Sequence, residues 1–272
     1  MELSAGISVG RLGYKVAIVT GGAEGLGADA AEALAADGAT VLITGTRDDE
    51  GEAHAAAMRG RGLKLAYHHL DTGDAMGWAV LAEKIMRTHG HLDVLVNHAS
   101  AYTSATIEDA TAAQLRAILE ADLIGPFLGT KSVIPAMRQS GGGAIINIAA
   151  NPIVEILPLA VLYSAAKAAL VNLTKSTASH CLQRGYDIRV NAVHPGTHET
   201  PALTAGAMRS TTAPRMHELL AALPPPAGQL YEFGAAIAYL AGDEAPHITG
   251  SELFCDGALA AMSFTNAAAP GG

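Results

Sequence analysis

Tyr163 and Lys167 stand four residues apart in the run Tyr163-Ser164-Ala165-Ala166-Lys167. The Ala- and Leu-rich segment around them, Val161–Gln183, reads as a helix, and that spacing puts both side chains on one face. A phenol near its ordinary pKa of about 10 is a poor acid–base group at neutral pH. An ammonium one turn away stabilises the phenolate and brings its pKa toward the working range. The pair can therefore move a proton to or from an oxygen. Taken alone, the same pattern is also that of a surface Tyr/Lys pair on an amphipathic helix.

A second signal lies near the N-terminus, where Thr20-Gly21-Gly22-Ala23-Glu24-Gly25-Leu26-Gly27 directly follows the apolar run KVAIVT. Glycines allow a tight turn and close approach of the backbone to a pyrophosphate, and the amides and dipole of the following helix favour the anion. The chain contains 30 glycines, so chance glycine patterns are common; position between first strand and first helix is what gives this one weight.

The remaining elements must bring these two segments together. Strands are expected at Lys15–Thr20, Thr40–Thr44, Lys64–His68, Asp93–Val96, Ala144–Ala149, Asp187–Val193 and Glu252–Cys255. Helices are expected at Gly25–Asp37, Asp48–Arg59, Ala75–His89, Val161–Gln183 and Tyr231–Ala241, with Thr111–Arg138 one long helix kinked at Pro126 and Pro135. This alternation predicts an α/β fold: a single doubly wound Rossmann-type domain over residues 1–265, with a mainly parallel seven-stranded sheet and helices on both faces. Residues Thr197–Pro226 should form short helices over the site, and Asn266–Gly272 a mobile tail.

Composition narrows the partners. Half the 272 residues are hydrophobic and the net charge is −9, which argues against nucleic acid or an anionic membrane surface. Cys181 and Cys255 read as reduced, buried thiols. The start MELSAGISVG has neither a basic segment nor an apolar run, so a cytoplasmic protein is expected.

The spacing TGxxxGxG resembles that of the short-chain dehydrogenase/reductase family, and further motifs follow in family order. Asp71-Thr72 matches the acidic position after the third strand. Asn97-His98-Ala99-Ser100 matches NNAG at its first and third positions, Tyr163 and Lys167 match YxxxK, and Pro195-Gly196 with Thr200 matches the segment after the sixth strand. The closing TGxxxxxDG is Thr249 to Gly257. Short stretches, Arg184–Pro201 and Gly250–Asp256, are also similar to bacterial hydroxysteroid dehydrogenases.

The resemblance implies a nicotinamide dinucleotide held by Gly21, Glu24, Gly25, Leu26, Gly27, Thr46, Arg47, Asp71, Thr72, Asn97, His98, Ala99, Pro195, Gly196, His198 and Thr200, with Tyr163 and Lys167 beside the ring. It implies Tyr163 as general acid/base, Lys167 as ribose ligand, and a homodimer or homotetramer. Two positions depart from the family. The usual serine thirteen residues before the tyrosine is Ala150, which cannot donate a hydrogen bond, with Asn151 beside it; the usual asparagine on the long helix is Asp122. Loss of one such donor costs roughly 3 kcal/mol, a hundredfold or more in rate. A buried Asp122 would hold Lys167 charged more firmly.

The second strand ends at Gly45, followed by Thr46 and Arg47 rather than an acid. Arg47 can grip a 2′-phosphate with Thr46 assisting, while Glu24 opposes it; NADP(H) is favoured, with NAD(H) as the alternative. No metal is expected, since the pairs His68/His69 and His194/His198 form no ligand set. The expected substrate is an apolar ketone or secondary alcohol, cyclic or steroid-like, against walls of Tyr102, Pro152, Ile153, Val154, Ile156, Leu157, Leu203 and Met208. Ala150 keeps open a reductase of C=C or C=N bonds, and with Asp122 a dinucleotide-binding sensor or assembly protein without catalysis.

Overall fold

A computed structural model describes residues 10–150, 158–196 and 230–257. Seven strands, β1 (Val16–Thr20), β2 (Thr40–Gly45), β3 (Leu65–His69), β4 (Val94–Asn97), β5 (Gly143–Ile148), β6 (Ile188–Pro195) and β7 (Glu252–Cys255), form one sheet in the order β3-β2-β1-β4-β5-β6-β7. All six pairings are parallel. The helices are α1 (Gly25–Ala36), α2 (Asp48–Gly60), α3 (Ala75–His89), α4 (Ala112–Leu119), α5 (Gly125–Gln139), α6 (Val161–Gln183) and α7 (Leu230–Ala241).

Alternation along β1 shows why both faces need cover. Ala17 and Val19 pack into one apolar layer with Leu34, Phe233 and Ile237 of α1 and α7, whereas Val16 and Ile18 enter the other with Trp78, Leu81 and Met137 of α3 and α5. Each large aliphatic side chain buried this way contributes about 1.5–3 kcal/mol. The strand order reverses between β1 and β4, and the crevice beyond their carboxyl ends is where a ligand fits such a sheet.

The expected elements are present with ends differing by a residue or two, apart from the long helix. Thr111 and Gln114 start it with a capping box. Next to the expected break at Pro126 it widens into a π turn at Glu120–Ile124, where the Gly125 amide reaches back to the Glu120 carbonyl. Pro126, at the start of α5, has no N–H to offer the Asp122 carbonyl, so a regular α turn cannot close there. Pro135 lies inside α5. Cys181 and Cys255 are free thiols, as expected, and burial pushes both pKa values up. The expectations for Asn151, for residues 152–157, for Thr197–Pro226 and for the tail lie outside the described residues.

Candidate active site

The glycine run turns sharply from β1 into α1. Gly21 and Gly25 take left-handed φ values of 65° and 54°, which suit glycine alone. A Cβ at Gly27 would stand 2.5 Å from His98 Nδ1 and against the Gly21 carbonyl, so a side chain there would break the turn. Leu26 is buried beneath the loop. Thr20 ties this loop to the one after β4: its Oγ1 accepts from the His98 and Ala99 amides at 2.9 and 3.0 Å. Asn97 donates to Asn147 at 2.8 Å, and Asn147 to Thr174 at 2.8 Å. The floor of the crevice is thus a satisfied polar chain under a backbone cradle without side chains, which fits a dinucleotide.

At the end of β2, Thr46 and Arg47 are exposed, and the Arg47 guanidinium is ion-paired with both Glu24 and Glu50. Asp71 accepts from the Gly73 amide at 2.9 Å, and the Thr72 carbonyl accepts from the Trp78 indole at 2.9 Å. These residues line the same edge. Pro195 and Gly196 are buried at the end of β6, while His198 and Thr200 lie outside the described residues.

The candidate acid–base residues meet where the π turn packs on α6. Asp122 is fully buried and stands 3.0 Å from Lys167 Nζ, itself only 2% exposed. Ser100 Oγ donates to one Asp122 oxygen, and the Ala101 amide to the other at 3.0 Å. Lys167 also donates to the Ile148 carbonyl at 2.9 Å, and its ammonium is 5.5 Å from the centre of the Tyr163 ring. Burial pulls the Lys167 pKa down, but the Asp122 and Tyr163 charges outweigh it and the net direction is up. His98 faces the same ammonium. Burial and the Lys167 charge push its pKa down to about 4, so the ring is neutral at neutral pH, and no described residue partners its Nδ1.

The expected set Tyr163, Lys167 and Asp122 is brought together, and the structure adds partners that sequence reasoning missed. Thr20 and Ser100 lie within the quoted motifs, but the hydrogen bonds of their hydroxyls, to the loop after β4 and to Asp122, were not foreseen. His194, considered only as a possible metal ligand, spends its nitrogens on the Ala150 carbonyl at 2.8 Å and on Glu252 at 2.9 Å. Lys175 holds Glu252 in turn at 2.6 Å. Its signal was parallel register: Ala192 pairs with Glu252 and His194 with Phe254, so the two side chains share a neighbourhood once β6 and β7 are adjacent. Tyr102 packs edge-on to Tyr163, ring centres 5.4 Å apart at 70°. Among the described residues no group of three His, Cys, Asp or Glu could hold a metal.

A family model described as short chain dehydrogenase matches residues 15–209. The chain belongs to the short-chain dehydrogenase family. It is 38% identical over 256 residues to trans-4-hydroxycyclohexanecarboxylate dehydrogenase of Sinomonas cyclohexanicum, covering 91% of this chain and 93% of that protein. It is 36% identical over 255 residues to 3-alpha-(or 20-beta)-hydroxysteroid dehydrogenase of Mycobacterium tuberculosis (93% and 92% covered). The NADP-dependent (R)-specific alcohol dehydrogenase of Lentilactobacillus kefiri is 35% identical over 259 residues (93% and 99%). The solved structure of a short-chain dehydrogenase/reductase from Burkholderia xenovorans superposes with a TM-score of 0.84 at 30% identity, over 93% of this chain and 99% of that one.

Proposed function

We propose that this short-chain dehydrogenase interconverts a small cyclic secondary alcohol and its ketone, with NADP(H) preferred over NAD(H). The observation that carries the reading is a buried, charged Lys167 with its ammonium 5.5 Å from the ring centre of half-buried Tyr163. Relatives named for hydroxycyclohexanecarboxylate, cyclopentanol and hydroxysteroids support a cyclic substrate, and an NADP-dependent relative supports the cofactor preference. When bound, the nicotinamide exchanges hydride with the substrate carbon. Gly21, Gly25, Leu26 and Gly27 would cradle its pyrophosphate, Thr46 and Arg47 the 2′-phosphate, with Glu24, Asp71, Thr72, Asn97, His98, Ala99, Pro195 and Gly196 along the crevice. His198 and Thr200 complete the proposed contacts.

Tyr163 Oη gives a proton to the carbonyl oxygen in reduction and takes one from the alcohol in oxidation. Lys167 stabilises the phenolate, and Asp122 holds Lys167 charged. Arg47's exposed pairs with Glu24 and Glu50 do not exclude a phosphate, since such pairs are worth about 0–1 kcal/mol. No described helix is long and apolar enough to cross a membrane, and a cytoplasmic homodimer or homotetramer is part of the proposal.

The test is a panel of cyclohexanone, cyclopentanone, an enone, an imine and a ketosteroid with both cofactors. Ketone turnover by the parent and its loss by at least about a hundredfold in Tyr163→Phe, with NADPH affinity unchanged, is the expected result. Tyr163→Phe as fast as the parent overturns the acid–base assignment. Turnover of enone or imine alone would favour C=C or C=N reduction, the reading that Ala150 keeps open. NADPH binding with no turnover would favour the sensor or assembly role.

A further inference from the structure

We infer that the Tyr102 phenol is a second catalytic hydroxyl: its Oη donates to the substrate oxygen the hydrogen bond that Ala150 cannot make. The inference rests on the proposed ketone–alcohol chemistry and names the group that completes it.

The need comes from position 150. An oxygen gaining negative charge during reduction is best met by two donors, and Tyr163 is one. Ala150 is 1% exposed, its carbonyl is tied to His194, and it has no polar side chain; Ala149 is no better.

The supply comes from the loop after β4. Tyr102 Oη is buried from solvent, and although the Ser104 hydroxyl is close enough to influence it, no described residue meets it in a well-formed hydrogen bond. A buried hydroxyl without a partner is costly and calls for a reason; a substrate oxygen that arrives only in the working complex is such a reason. The ring lies against Tyr163 in an edge-on arrangement, so the two phenols share one neighbourhood. Their relative position is fixed at both ends of the loop. The Ala101 amide is held by Asp122 at 3.0 Å, and the Ala105 amide by the Leu159 carbonyl at 2.9 Å, where Ala105 and Ala160 bridge just before α6. Asp122 therefore serves both hydroxyls, Tyr163 through Lys167 and Tyr102 through Ala101.

The two phenols also differ in proton hold. Burial pushes the Tyr102 pKa up to about 12; nearby Ser104 opposes this and the Tyr163 charge adds to it. No lysine is among the groups that act on Tyr102 to reverse the direction. Tyr102 thus keeps its proton and donates while Tyr163 exchanges its own, which is how neighbouring groups of one type divide acid–base roles.

The experiment uses the full chain as Tyr102→Phe, Ala150→Ser and the double variant. Each is assayed with NADPH and the faster of cyclohexanone and cyclopentanone, alongside NADPH affinity by fluorescence and Tm. Tyr102→Phe should lower kcat about a hundredfold, with NADPH affinity unchanged and Tm little changed, because the oxygen removed makes no well-formed hydrogen bond in the fold. Ala150→Ser should change the parent less than about threefold, since the donor place is filled, yet restore Tyr102→Phe by about tenfold or more; that non-additivity marks a shared role. Tyr102→Phe within about threefold of the parent overturns the assignment, as does a fall in Tm together with rate, which would make the residue structural. If Tyr102→Phe does not fold, the Ala150→Ser arm decides alone: a gain of about a hundredfold in the parent shows an empty donor place and overturns it. A parent inactive on every ketone would overturn the proposed function itself, a result distinct from an active parent indifferent to Tyr102.

Discussion

Arg47 with Glu24 and Glu50, and Lys167 with Asp122, are two charge clusters at the same end of one sheet. The first has side chains 42–56% exposed, and the second 2% and 0%. In water-facing pairs solvent competes for each partner and the pair contributes about 0–1 kcal/mol. Inside the fold, removing one partner strands the other and costs about 3–5 kcal/mol. The exposed cluster can therefore trade a carboxylate for a ligand phosphate, while the buried one belongs to the architecture. Adaptability sits in the cluster proposed to select the dinucleotide, and rigidity in the cluster proposed to support proton transfer.

The largest effect should come from breaking the buried pair. Asp122→Ala leaves Lys167 charged and unpaired and should cost about 3–5 kcal/mol in urea unfolding at neutral pH. Asp122→Asn keeps the shape and should cost less. A loss under about 1 kcal/mol for Asp122→Ala would place this pair with the surface ones.

His98 reports on the same buried charge and gives an intermediate effect. Its pKa falls from 6.5 to about 4 in the fold, so as pH drops below 6.5 the unfolded chain takes up a proton that the native chain refuses. Stability should decline between pH 6.5 and 4, by at most about 3 kcal/mol from this group. His98→Asn should flatten that decline in unfolding curves taken across the range; an unchanged slope would mean the ring is not kept neutral by Lys167 and burial.

The smallest effect belongs to the exposed cluster. Glu24→Gln frees Arg47 from one carboxylate and should tighten NADPH by a few-fold, leave NADH nearly unchanged, and lose its effect at about 1 M salt. Equal tightening of both dinucleotides would show that Arg47 does not meet the 2′-phosphate.

Tyr163, Lys167 and the glycine turn were legible because their chemistry depends on residue type at local spacing, and the strands because their apolar runs are short and bounded. Asp122 was legible as a departure, but its direct contact with Lys167 required the fold. The His194 link joins positions 44 and 58 residues apart, beyond any local pattern. Tyr102 was read as an apolar wall; whether its hydroxyl has a partner is decided by packing. In the helix around Asp122, Pro126 marked the place of a break, but not that the break would take the form of a widened turn.

That widening sets the phase of the whole rod. A π turn holds one residue more than an α turn, and one residue corresponds to about 100° of rotation. Before it, Ile118 of α4 packs with Leu162 and Ala166 of α6; after it, Val133, Ala136 and Met137 of α5 pack with Trp78, Leu81 and Ile85 of α3. A single continuous helix thus addresses two different neighbours, and the residue at the phase step is Asp122. Deleting one residue from Glu120–Ile124 would straighten the winding and make a more regular helix, but it would swing either the carboxylate or the downstream apolar stripe out of register.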